Sequence, residues 1–116
     1  MMTFEEYVAT YLAGAISETV STVPTPDSIS VVLSDVTSVN YWLQQSSFTV
    51  TAVYEGKRDA GEMSALVQQA LWSMRLINSV NSVAIDTERA TRENNPARWT
   101  YEVEVRMLHR RKTTWP

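Results

Sequence analysis

Two glutamates one pleat apart, Glu102 and Glu104, and a single histidine, His109, are the side chains whose type and spacing come nearest to chemistry. Paired carboxylates divide acid and base roles when their surroundings push their pKa values apart. Here they alternate with Val103 and Val105, the pattern of a solvated strand face. His109 has no second histidine with which to share a metal ion, and it is expected at a strand end, structural or exposed. The chain has no cysteine, which removes disulfides, iron–sulfur clusters, thiol nucleophiles and cysteine zinc sites. Ser, His and Asp all occur, but without the G-x-S-x-G turn that presents a nucleophile. With three glycines in all, neither a phosphate-cradling loop nor a dinucleotide fingerprint can be built. The expectation is a protein that is not an enzyme and holds no metal or cofactor.

At 116 residues the chain is one domain by length, long enough to hide roughly two thirds of its unfolded surface. No apolar run approaches the ~20 residues of a membrane helix, so no membrane partner is expected. The opening Met-Met-Thr-Phe-Glu-Glu is acidic where a secretory signal is basic, so no targeting segment is expected. The net charge is −3, yet all ten Lys and Arg lie at or after Lys57, while the first 56 residues carry six acids and no base. Either this is a solvated basic end, or the acidic surface of one copy meets the basic surface of the next. Head-to-tail contacts of the second kind close into rings. A dedicated nucleic-acid binder shows a basic face and often a high pI; this chain has a pI near 5.1, so specific nucleic acid is not expected.

Two helices and four to five strands must position these residues. Thr3 and Glu6 have capping-box spacing, and Phe4, Tyr7, Val8, Tyr11, Leu12, Ala15 and Ile16 follow on one helical face. Pro24 ends that helix region, and residues 22–28 read as a short linker. Residues 28–33 are β-branched and predict a strand; residues 34–40 are turn-rich. Tyr41-Trp-Leu-Gln44 predicts a second extended segment. Residues 47–54 alternate, with Phe48, Val50, Ala52 and Tyr54 on one face. Asp59 and Glu62 repeat the capping-box spacing, opening a second helix over about 60–77. Its stripe is Met63, Leu66, Val67, Ala70, Leu71 and Met74, which reads as core because Met so routinely fills packing gaps. A strand follows over 80–88, then a polar loop over 90–96. A last strand follows, with Trp99, Tyr101, Val103, Val105 and Met107 on its buried face. The predicted class is α+β: a mostly antiparallel sheet of four to five strands against two amphipathic helices, with a basic C-terminal segment over 108–116.

Of four tryptophans, Trp72 and Trp99 are expected at the core or its edge, while Trp42 and Trp115 are less obviously buried. Tryptophan is enriched at interface hot spots. Trp115, after Arg110-Arg-Lys112, is either a floppy end or a docking anchor for a neighbouring copy or another protein, and the anchor is the expectation carried forward. The candidate interface set is Arg89, Arg92, Arg98, Arg110, Arg111, Lys112 and Trp115.

The run Phe48-Thr-Val-Thr-Ala-Val-Tyr-Glu-Gly-Lys-Arg-Asp-Ala60, leading into Met63-Ser-Ala-Leu-Val-Gln-Gln-Ala-Leu71, resembles the tail terminator proteins of long-tailed bacteriophages. Asn94-Asn-Pro-Ala-Arg-Trp-Thr-Tyr-Glu-Val-Glu-Val-Arg106 adds to the resemblance. It extends over most of the chain in order and length, although the Gly-rich turns common in the family after its first strand are missing from Ser34-Asp-Val-Thr-Ser-Val39. The resemblance implies a protomer that assembles into a ring, commonly a hexamer, at the head-proximal end of the tail tube. There it would stop tube polymerisation and meet the tail tube protein and a head-completion or neck protein. It implies a virion protein assembled in the host cytoplasm, with DNA passing through the ring and no catalytic residues. The alternative from the residues alone is a regulatory α+β module whose sheet and helices surround a small-molecule pocket.

Overall fold

A computed structural model describes residues 2–22, 28–94, 97–112 and 115. In chain order the elements are α1 (Phe4–Ile16), β1 (Val20–Ser21), β2 (Ile29–Ser38), β3 (Leu43–Tyr54), α2 (Lys57–Ser73) with a 3-10 turn over Met74–Leu76, β4 (Val80–Asn94) and β5 (Ala97–Arg110). The five strands form one sheet in the order β1-β2-β3-β5-β4. Every neighbouring pair is antiparallel except the short β1–β2 pair. The class is α+β, as the sequence predicts.

The capping box at α1 is complete: Thr3 Oγ1 accepts from the Glu6 amide at 3.3 Å while Glu6 Oε1 accepts from the Thr3 amide at 3.3 Å. Each satisfies an amide that the first helical turn leaves orphaned. The helix closes on Ser17, which takes the left-handed conformation at φ 57° so that its amide can return to the Ala13 carbonyl. The second predicted capping box does not form. Instead α2 begins three residues earlier, on Gly56 with no side-chain cap, and Glu62 pairs with Arg58 one turn before it at 3.0 Å. Gly61 faces β5 at close range: a Cβ there would lie 3.2 Å from the Tyr101 hydroxyl.

Both helices cover the same side of the sheet and pack on each other, tied by a 2.7 Å hydrogen bond between Tyr11 and Ser73. Beneath them lie Ile29 and Val31 of β2, Phe48, Val50 and Ala52 of β3, and Val103, Val105 and Met107 of β5, all nearly inaccessible. Their register explains why: Val50 stands opposite both Val31 and Val103, and Phe48 opposite Val105, so period-two alternation in three strands converges on one layer. The other side of the sheet is polar, with Thr49 beside Glu104 and Thr51 beside Glu102. Leu12, Val67, Leu71 and Met74 complete the core from the helices.

Four local expectations are corrected. Residues 34–38 are not a turn; after a bulge between Leu33 and Asp35 they continue β2, with Val36 opposite Ser46 and Thr37 opposite Gln45. Likewise 90–94 is strand, paired rung by rung with 97–101; Asn95 and Pro96 lie outside the described residues, as does most of the 22–28 linker. In both places the ladder to a long neighbour satisfies the backbone and overrides a weak local preference for turns. Tyr41 and Trp42 do not open a strand: they sit in the turn between β2 and β3, which then runs unbroken from Leu43. Trp72 and Leu66 of α2 are 47% and 49% exposed, because each lies about 100° or more around the helix from the Val67–Leu71–Met74 line.

Candidate functional site

The molecule is 46 Å along its longest axis, about what a strand of 14 residues such as β5 spans at ~3.3 Å per residue. The candidate cations are divided between its two ends. Arg89, Arg92 and Arg98 belong to the β4–β5 hairpin, whereas Arg110 ends β5 and Arg111 and Lys112 follow it, about 25–40 Å away by strand rise. No single surface holds all six.

At the hairpin end two of the three arginines, Arg89 and Arg98, are met within the molecule. Arg89 Nη2 donates to Glu102 at 3.1 Å, and Arg98 lies 3.6 Å from Glu55. The Lys57 ammonium sits 5.0 Å over the Trp99 ring. Further along the polar face Arg106 makes two bonds to Asp86, at 2.7 and 2.9 Å, which hold that carboxyl below its ordinary pKa. Glu88 of β4 accepts from Ser64 at 2.8 Å and from Gln68. Arg92 is exposed on β4. Of the two glutamates with possible acid–base roles, Glu102 is occupied by Arg89 and Glu104 stands exposed on the open face.

The opposite end is built differently. Asn40 turns the chain by accepting from the amides of Trp42 and Leu43 at 2.8 and 3.0 Å, an Asx turn that projects its two following aromatics. Tyr41 and Trp42 meet edge to face, centroids 4.7 Å apart, yet remain 75% and 72% exposed, with Val36 and Val39 exposed beside them. The basic segment is fastened alongside by backbone bonds: the Arg110 amide donates to the Ser79 carbonyl and the Arg111 amide to the Trp42 carbonyl, both at 2.8 Å. Trp42, Leu43, Asn81, Arg110, Arg111 and Lys112 then line an open cleft of about 510 Å³. Among the described residues no carboxylate pairs with Arg110, Arg111 or Lys112. Arg110 and Arg111, with Lys112 held over a neighbouring ring but likewise without a carboxylate, stand beside a bare Trp42 indole and suit a partner that is acidic and offers flat or apolar surface.

Trp115 is not available to that surface, contrary to its expected role as an anchor for another molecule. Its indole is 4% exposed and packs within its own protomer on Phe4, Tyr7 and His109 at centroid distances of 4.7, 5.2 and 5.6 Å. Its amide donates to the Met2 carbonyl at 2.9 Å. The physical reason lies in α1: Phe4 and Tyr7 present aromatic surface at the sheet's end, and an indole covers it without crossing to another chain. Lys112 stacks over the same indole at 4.8 Å. Removing 110–116 would therefore uncover core, so a truncated chain is not expected to keep a native fold. Thr113, Thr114 and Pro116 lie outside the described residues.

His109 is buried, not exposed, at 2% accessibility, stacked on Phe4 at 3.7 Å. Its Nδ1 lies 2.9 Å from the Arg110 carbonyl, which can only accept, so Nδ1 carries the proton. Nε2, 2.7 Å from Ser46 Oγ, then accepts from the hydroxyl in the neutral ring. Burial pushes the imidazole pKa down, against a smaller upward pull from the carbonyl bond. It acts as a packed joint between Phe4, Ser46 and Trp115 at this end of the sheet.

The sequence marks Trp42 as less obviously buried, but the candidate interface set omits the turn aromatics. The signal was present: two adjacent aromatics directly after Asn40, at a place where turns ordinarily carry small polar residues. Comparison with protein-family models and with curated proteins gives no match.

Proposed function

We propose that this protein is a structural component of a long-tailed bacteriophage virion, a ring-forming terminator at the head-proximal end of the tail tube. The ring, a hexamer in the resemblance, ends tube polymerisation and offers a joining surface to a head-completion or neck protein, assembling in the host cytoplasm. The observation that carries the reading is the Arg110–Lys112 cluster, without a carboxylate partner among the described residues, beside exposed Tyr41 and Trp42, in a chain whose first 56 residues hold six acids and no base. Such a division of charge favours contact between unlike surfaces of successive copies. The resemblance of residues 48–71 and 94–106 to tail terminators supplies the setting. A ligand-sensing module is less well supported: Leu12, Phe48, Leu71 and Met74 fill the space between helices and sheet at 0–1% exposure.

The test is reconstitution with a purified tail tube protein of a long-tailed phage. Tube growth followed by electron microscopy should stop when the protein is added, leaving tubes with a ring at one end. Tubes that lengthen at an unchanged rate and bear no ring would rule the reading out.

A further inference from the structure

We propose that the aromatic tip of one copy seats in the acidic groove between α1 and β1 of the next. This rests on the self-assembly reading above and names its contact. The groove, about 630 Å³, is lined by Glu6 and Glu18 with Ala9, Thr10, Ala13 and Val20 between them. It mixes small apolar side chains and hydroxyls with two carboxylates, whereas the tip is aromatic with a basic flank. Glu6 accepts from Thr3 in the α1 capping box, but among the described residues no base pairs with Glu6 or Glu18, just as no acid pairs with Arg110, Arg111 or Lys112. Each patch lacks in cis the charge that the other supplies.

The fold prevents one molecule from satisfying itself. Val20 of the groove pairs with Ile29 at the start of β2, while the tip lies beyond Ser38 at its end, roughly 30 Å away by strand rise. The tip is held short by the Asx turn and by the Arg111–Trp42 backbone bond, so it cannot fold back over that distance. The contact must pass between copies, and because its two halves differ it is head-to-tail and generates a ring or a filament. Tyr41 and Trp42 supply the buried area, of order 150–250 Å² each, and are rigid anchors of the kind that dominate interfaces. The bases raise the encounter rate and set the orientation.

Sedimentation of the full chain tests this with two complementary variants. Trp42→Ala with Arg111→Glu disables the tip; Thr10→Arg with Glu18→Arg fills and reverses the groove. All four positions are exposed, and far-UV circular dichroism checks that both variants stay folded. Each variant alone should sediment as a monomer under conditions where the parent chain assembles. An equimolar mixture should recover a two-chain complex and nothing larger, since only one working tip and one working groove remain per pair. If both variants assemble to the parent's size, the ring survives and this contact is overturned. If the parent itself stays monomeric, both the ring and the contact fall. A mixture that remains monomeric also overturns the contact. So does a tip variant that still assembles but loses binding to a single-stranded oligothymidine, which would assign the tip to nucleic acid.

Discussion

At the β4–β5 end of the sheet Arg89 lies 3.1 Å from Glu102 and Arg98 3.6 Å from Glu55, with Lys57 covering Trp99. At the β2–β3 end Arg110, Arg111 and Lys112 stand beside an uncovered Trp42, with no carboxylate among the described residues to meet them. Charges paired across neighbouring strands add little to stability, but they cancel one another's field and keep an exposed edge strand such as β4 from recruiting another chain. Uncancelled charges beside exposed aromatic surface do the opposite: they extend attraction outward by about a Debye length, ~8 Å at physiological salt. Cation count alone therefore does not mark an interaction surface; the local presence or absence of acids does. Beneath the second end, Phe4, His109 and Trp115 form a tight aromatic joint, so its outer surface is displayed on a rigid base.

The contrast can be broken first through its tryptophans. Trp115→Ala should destabilise by ~3–5 kcal/mol in urea unfolding, the range for emptying a buried aromatic site. Trp99→Ala, at the paired end and only half-buried, should cost less. Leu71→Ala, in the shared core at 0% exposure, should cost ~2–5 kcal/mol and serves as the reference. A loss at Trp115 below about half a kcal/mol, the surface range, would mean that its indole is not part of the fold.

Acid should weaken the aromatic end selectively. His109 has a folded pKa below that of the unfolded chain, so the unfolded state binds the proton more readily. The corresponding stability is present above the ordinary histidine value of about 6.5 and is lost as pH falls through and below it. Unfolding midpoints should drop between about pH 7 and pH 5, and His109→Gln should flatten that slope. An unchanged slope in the variant would place the acid-sensitive group elsewhere.

Smaller effects sharpen the comparison. Arg89→Ala removes an exposed pair and should cost ~0.2–1 kcal/mol, diminishing with added salt. Trp42→Ala should change stability by no more than ~0.5 kcal/mol, because its ring is 72% exposed. A larger loss in thermal or chemical unfolding would show that Trp42 supports the fold and does not wait for a partner.

Much of the architecture was legible because it follows from local spacing. Thr3 and Glu6 announced α1, and the alternation through Phe48–Ala52 and Val103–Met107 announced the buried layer. Where pairing across strands decides, spacing was silent: 34–38 and 90–94 look like turns but are held by β3 and β5. Trp72 and Trp115 were exchanged for a related reason. Hydrophobicity suggests that a tryptophan will be buried somewhere, but only the phase of α2 turns Trp72 outward. Only the proximity of Phe4 to the end of β5 gives Trp115 a site in its own chain. The basic cluster was visible in the sequence; its separation from Arg89, Arg92 and Arg98 required the length of the sheet.

The central claim is that the uncompensated end drives self-assembly, and mass in solution tests it most directly. Light scattering behind size exclusion, at low and high salt, should show the 13.1 kDa chain in a closed oligomer of several copies. That oligomer should loosen as salt rises and be lost in Trp42→Ala with Arg111→Glu. A monomer at every concentration and salt level would contradict the account.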